Sequence, residues 1–203
     1  MRTIIITFGM LFGLAIGSVW AQTSSETRNV GDFSSLDISS VGSIIFTQSD
    51  VCSVKLEGTD RLLKNTTTTV TDGTLVVGMA NKSVKTNRTN DLKIYITAPD
   101  LKQLVFSGVG SFSSYEAVTL DGDLVIDVQG VGKVDIKELK CHDLRFSLNG
   151  VGSSFIRVEC DLLIAEVNGV GSASFNGTAR KANFQKNGVG TINRRYFKVT
   201  GDE

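Results

Sequence analysis

Few residues of this chain have the types and spacing that catalysis requires. His142 is the only histidine in 203 residues, and it follows Cys141 in a segment that is typical of a loop leading into a strand. A Ser/His/Asp triad would have to be built around this one side chain, and zinc sites usually take several nitrogen or sulfur ligands. We therefore interpret His142 as a solvated loop residue and predict no metal-ligating residue.

The carboxylates offer a second route to chemistry, because glycosidases use two acids about 5 to 9.5 Å apart. Asp127 and Glu166 are predicted to point outward from repeats that are not adjacent, with Ser147 between them. Asp121 and Asp123 flank a loop glycine and could bind calcium weakly. We interpret all four acids as surface and turn residues. The sequence thus predicts no catalytic residue and no cofactor, and it leaves the ligand-binding residues unknown.

Composition excludes several classes of protein. Lys+Arg and Asp+Glu both number 21, so no net charge attracts the chain to nucleic acid or to an acidic membrane surface. With 41% hydrophobic residues, 1 proline and 3 cysteines, the chain is not disordered, collagen-like or disulfide-dense. Its length suits a single domain.

The first 21 residues have the pattern of a secretory signal peptide. A basic residue is followed by a mostly apolar stretch over 4–16, and Ala21 is a small residue at the expected cleavage site. An uncleaved anchor is the alternative, although the run is shorter than the roughly 20 apolar residues that cross a bilayer. We expect cleavage, a linker over 22–29, and an exported protein in the periplasm, on the outer cell surface or outside the cell. No integral membrane segment is expected after cleavage.

Five copies of the tripeptide Gly-Val-Gly are the strongest signal in the sequence. Their intervals are 22, 20, 19 and 19 residues, and a degraded copy, Ser40-Val41-Gly42, precedes them. Apolar side chains occupy alternate positions before most copies, which predicts a strand with one buried face that ends in a tight corner. The copies begin at Gly108, Gly130, Gly150, Gly169 and Gly188.

A unit of about 20 residues cannot bury its apolar face alone, but stacked units can form continuous ladders of inward side chains. We therefore predict an all-β fold in which residues 100–200 form a parallel β-solenoid, with an antiparallel β-sandwich as the alternative. Glycine is expected at the corners because the backbone passes close to its neighbour there. The valine of each copy is predicted to stack in the interior.

Equivalent positions of the repeats predict two further columns. Asn149, Asn168 and Asn187 each precede a first glycine, so we expect a ladder of side-chain amides that bonds corner backbone groups. Cys141 and Cys160 each lie nine residues before the next first glycine, and they should occupy neighbouring turns. Stacked free thiols and a disulfide both fit that placement.

The N-terminal half, 30–99, is strand-rich but irregular. Alternating residues surround Asp72-Gly73, which is a hairpin signal, and Leu92–Thr97 reads as a strand before Pro99. We assign 30–200 to one β-solenoid domain, with regular repeats from residue 100 onward.

The motifs carry a family resemblance. A signal peptide, the segment Phe33-Ser34-Ser35-Leu36-Asp37-Ile38 and recurring Ser-Gly-Val-Gly or Asn-Gly-Val-Gly units together resemble the putative autotransporter adhesins with a head GIN domain, secreted proteins of Bacteroidetes. The resemblance covers roughly residues 30–195. It implies a right-handed β-helix-like fold in an exported protein, and it supplies no catalytic residues to carry over.

These observations favour an exported, non-enzymatic β-solenoid that acts as an adhesin or a structural protein of the cell envelope. The expected partner is a surface glycan or an envelope protein, and a homo-oligomer is a further possibility. The alternative is a carbohydrate-active β-helix enzyme, either a polysaccharide lyase or a hydrolase.

Overall fold

The computed structural model describes residues 23–81, 83 and 91–201. The expected signal peptide therefore lies outside the described residues. The described part of the chain contains one short helix, α1 (Asp60–Asn65), and fifteen strands. The strands are β1 Ser24–Arg28, β2 Ser35–Ile38, β3 Val41–Gln48, β4 Ser53–Gly58, β5 Thr66–Thr71, β6 Thr74–Met79, β7 Leu92–Ala98, β8 Gln103–Phe106, β9 Val109–Thr119, β10 Leu124–Val128, β11 Val131–Lys140, β12 Asp143–Leu148, β13 Val151–Val167, β14 Val170–Lys186 and β15 Val189–Val199.

The repeats stack as a parallel β-solenoid of about five turns, as the sequence predicts. In one stack, β8, β10, β12 and the second half of β13 pair in parallel; in the other, β9, β11, the first half of β13 and the first half of β14 do the same. Each turn crosses from one stack to the other through a Gly-Val-Gly corner. The antiparallel sandwich is therefore wrong for residues 100–200.

Inward side chains fill the solenoid with apolar columns. The alternate residues before each corner are buried, as in the parallel register Leu104, Ile126 and Phe146. Aromatic rings continue this packing toward the C-terminal end, where Phe146 meets Phe175 edge-to-face at 5.4 Å between ring centroids. Burial of these ladders holds the turns together, because no single turn has an apolar face that its own residues cover.

The corner glycines are required by close approach of neighbouring turns. A Cβ built on Gly150 would overlap the carbonyl oxygen of Gly130 in the preceding turn, and one built on Gly169 would overlap that of Gly150. The amide of Val151 donates to that same Gly130 oxygen at 2.9 Å, so the two corners cannot move apart without losing a backbone hydrogen bond. The sequence prediction that glycine permits this contact is confirmed.

The valines of the corners lie on the outside, and the prediction of an interior column was wrong. All five are exposed, from 41% at Val109 to 74% at Val189. The physical reason is the alternation of the strand itself, since the residue after an inward glycine points outward. The valines share one register through all five turns, and Val41 of the degraded copy continues the column.

The N-terminal half closes one end of the solenoid. Parallel pairing places β6 on β2 and β7 on β3, so the degraded copy in β3 is also part of the stack. The predicted hairpin is present as β5 and β6, with Asp72 and Gly73 both at positive φ. Residues 22–29, which we expected to be a linker, include β1, and β1 pairs antiparallel with β4 at the edge.

The other end of the solenoid is open. Strand β15 pairs only with β14 among the described strands, and Phe184, Ile192 and Phe197 pack against the core while remaining partly exposed. Lys186, Arg194 and other cationic side chains lie exposed beside this edge. Charged side chains at a free strand edge oppose pairing with another chain.

Candidate functional site

The lone histidine belongs to a charge ladder that crosses several turns. Asp123, His142, Asp161 and Arg180 follow one another at intervals of 19 residues. The Nδ1 atom of His142 lies 3.0 Å from Asp123 Oδ1, and its Nε2 atom lies 3.4 Å from Asp161 Oδ2. Arg180 completes the ladder at 3.4 Å from Asp161. The 19-residue interval was visible in the sequence, but we considered His142 only as a catalytic residue and missed the ladder.

The surroundings of His142 favour its protonated form. Its hydrogen bond to Asp123, followed by the charge of Asp143, raises the pKa of the imidazole above its usual value. The ring is 61% exposed, so solvent screens this effect. Asp123, His142 and Asp143 each offer one ligand atom within 4.8 Å of the others, and these three side chains could hold a metal ion in place of the proton.

Asp127 has a structural role at the head of the amide ladder. Its Oδ1 atom accepts from Ser147 Oγ at 2.7 Å and from Asn149 Nδ2 at 2.8 Å, and its Oδ2 atom accepts from Gln129 Nε2 at 2.6 Å. Three donors occupy this carboxylate, which is the arrangement that holds an acid ionised and fixed rather than free to transfer a proton.

The amide ladder itself is confirmed. Asn168 donates to the Asn149 side-chain oxygen at 2.9 Å, and Asn187 donates to that of Asn168 at 2.9 Å. The ladder lies on the outer surface and bonds only side chains, so the expectation that it would bond corner backbone groups was wrong. Backbone carbonyls of the preceding turn accept from those corner amides instead, as Val128 O does from Asn149 N at 2.8 Å.

The two acids weighed for polysaccharide cleavage do not converge. Asp127 is in register with Ser147, and Ser147 with Glu166, so two strand spacings of about 4.8 Å each separate the acids. Glu166 makes no hydrogen bond or ion pair within the described residues, whereas Asp127 is fully engaged. This geometry gives no paired acid and base.

Loss of the Asp127 carboxylate should affect stability alone. We expect Asp127→Ala to lower the free energy of unfolding by about 1 to 2 kcal/mol, because three donors lose their acceptor at a partly exposed site. Glu166→Ala, the matched control, should leave it unchanged. Thermal unfolding of both variants checks this, and equal melting temperatures for the Asp127 variant and the parent would contradict the structural role.

The largest repeated surface is the valine face. We define it as the exposed column Val109, Val131, Val151, Val170 and Val189 with the column of polar residues on either side of its glycines. One flanking column is Ser107, Gln129, Asn149, Asn168 and Asn187, and the other is Ser111, Lys133, Ser153, Ser172 and Thr191.

The geometry of the valine face suits an extended partner. Five valines at a strand spacing of about 4.8 Å give a straight apolar ridge on the order of 19 Å long. Glycines on both sides leave each valine standing above bare backbone, and the flanking amides and hydroxyls are hydrogen-bonding groups. Lys133 is the only charged residue in the three columns. A regular, nearly uncharged surface of this kind offers binding along a line rather than a pocket for chemistry.

Comparison with known proteins gives a consistent picture. Residues 32–200 match the family model described as putative auto-transporter adhesin, head GIN domain. None of the curated proteins matches the chain.

Solved structures share the fold. A putative adhesin from Bacteroides fragilis is 26% identical with a TM-score of 0.57, and the match covers 85% of this chain and 96% of that one. A putative lipid binding protein from Parabacteroides distasonis is 20% identical with a TM-score of 0.69, over 87% and 75%. A putative adhesin from Parabacteroides merdae is 17% identical with a TM-score of 0.52, over 85% and 95%.

Proposed function

Because the chain belongs to the family of putative auto-transporter adhesins with a head GIN domain, we propose that it is an exported, non-enzymatic adhesin that binds a surface glycan along the valine face. The observation that carries this proposal is the exposure of five valines in one register. Exposed apolar residues in a continuous column are uncommon on a monomer unless the surface binds something.

The chemistry around the valines favours a neutral glycan as the ligand. Side-chain amides and hydroxyls on both sides of the ridge can exchange hydrogen bonds with sugar hydroxyls, while the valines contact the apolar faces of sugar rings. The amide ladder fixes the rotamers of Asn149 and Asn168 before binding, so little side-chain entropy is lost on contact. An anionic ligand would find only Lys133 in these columns.

Export is supported by the signal-peptide pattern of the first 21 residues. Within the described parts of the chain, none of the helices has the length and apolar character needed to cross a membrane. A location in the periplasm, on the outer surface or outside the cell suits a protein that binds glycans or envelope components.

A glycan array combined with degradation assays on polysaccharides tests the proposal. We expect retention of one class of neutral glycan and no release of reducing sugar or unsaturated product. Retention of no glycan would overturn the glycan proposal. Reproducible turnover that Asp127→Ala or Glu166→Ala abolishes would show instead that the protein is a carbohydrate-active enzyme.

A further inference from the structure

Cys141 and Cys160 face each other across two neighbouring turns. The pairs on either side of them, Lys140 with Glu159 and Asp143 with Leu162, have the same offset of 19 residues, so the two cysteines are in register. Neighbouring strands lie about 4.8 Å apart, which falls within the Cα separations of about 4.4 to 6.8 Å that a disulfide spans.

Both side chains point into the core at a place where the two thiols interact. Cys141 is 7% exposed and Cys160 is 8% exposed. A hydrogen bond joins the thiols: it lowers the pKa of Cys160 and, together with burial, raises that of Cys141. The next residue in this column is Ala179, so the sulfur pair is confined to two turns.

The cysteines are also reachable from outside. A cavity of about 320 Å³ is lined by Cys141 and Cys160, with Lys140 and Arg180 among its other lining residues. A small molecule in this cavity would meet the sulfurs from the solvent side, and the two cations would attract an anionic one. Cys52 is remote from this place and contacts the backbone of Phe33 instead.

We propose that Cys141 and Cys160 form a dithiol site that a disulfide oxidant converts to a covalent bond between adjacent turns. The thiolate of Cys160 attacks one sulfur of the oxidant, which forms a mixed disulfide and releases the first thiol. The sulfur of Cys141 then loses its proton and attacks the Cys160 sulfur, which releases the second thiol. Two electrons and two protons pass to the oxidant, so one disulfide becomes two thiols.

The structure assigns different roles to the two sulfurs. Cys160 has the lowered pKa and therefore the larger thiolate fraction, which makes it the attacking residue. Cys141, which donates the hydrogen bond, is the resolving residue. The new bond would close a loop of one solenoid turn and tie the turns together at a point where the chain passes from one stack to the next.

Oxidised glutathione, a small anionic disulfide, provides the test. The native protein is equilibrated with an excess of it, acid-quenched, and alkylated under denaturing conditions before mass measurement. We expect a single alkylated thiol, Cys52, and three after reduction. The variant Cys52→Ser should show none before reduction and two after it. The oxidised parent should melt roughly 5 °C above its reduced form.

Two single variants separate the roles. Cys141→Ser should accumulate the glutathione adduct on Cys160, whereas Cys160→Ser should react at Cys141 at least about tenfold more slowly, because its thiolate fraction is smaller. Three alkylated thiols in the oxidised parent would overturn the proposal, as would adducts on both cysteines without an internal bond. Disulfide-linked dimers that persist in Cys52→Ser would also overturn it.

Discussion

Replacement of Gly150 by valine is expected to destabilise the protein severely. The new Cβ would overlap the Gly130 carbonyl oxygen in the preceding turn, and the backbone there is fixed by the hydrogen bond from Val151. Relief requires the corner to move away from its neighbour. We expect a loss on the order of 3 kcal/mol or more, and a fall in melting temperature of roughly 10 °C.

Gly122→Val provides the matched control for this prediction. A Cβ at Gly122 would meet nothing within 4 Å, and this glycine is not at positive φ. Its melting temperature should stay within about 2 °C of the parent, as is usual for surface substitutions. If the Gly150 variant melted with the control, close stacking of the corners would not be what requires glycine.

Truncation of Phe175 is expected to have the second large effect. Its side chain is 0% exposed and its ring contacts Phe146 at 5.4 Å and Phe184 at 5.9 Å between centroids. Phe175→Ala would leave a cavity between two turns that rigid parallel strands cannot collapse to fill. We expect a loss of about 3 to 5 kcal/mol.

Phe155→Ala separates burial from residue type. Phe155 is only partly buried, and Lys137 Nζ lies 5.3 Å from its ring centroid on the surface. This control should lose about 1 kcal/mol, from apolar contact and the cation–π interaction. Chemical denaturation with parallel measurement of both variants checks the pair. Similar losses for the two would contradict a continuous aromatic column inside the solenoid.

The sequence predicted the repeating part of the fold because its signal is local. Alternation before each corner identifies the inward residues, and constant spacing identifies residues in register, including Asn149 with Asn168. The same alternation, continued one residue past each first glycine, would have placed Val151 outside. We read the valines by propensity instead, and propensity for strands does not say which face a residue occupies.

The N-terminal half could not be ordered from sequence in the same way. There β6 and β7 stack beyond β2 and β3, although they follow them in the chain. Such an arrangement depends on pairing between distant segments without a shared motif, and a linear pattern does not encode it. The charge ladder around His142 was hidden for a different reason, because alternating Asp, His and Arg do not repeat a residue type.

Binding by Val151→Lys tests the central claim, that the valine face is the binding surface. Lysine at this position would place a long charged side chain in the middle of the apolar ridge, next to glycines that offer it no cover. Val51→Lys is the matched control, since Val51 is 66% exposed and lies outside the face. The dissociation constant of each is measured on the glycan that the array retains.

The account predicts that Val151→Lys weakens binding by at least about tenfold, while Val51→Lys stays within about twofold of the parent. Both variants should keep the parent's melting temperature to within about 2 °C, so that lost binding cannot come from unfolding. Equal affinity of Val151→Lys and the parent would contradict the claim that this protein binds its ligand along the valine face.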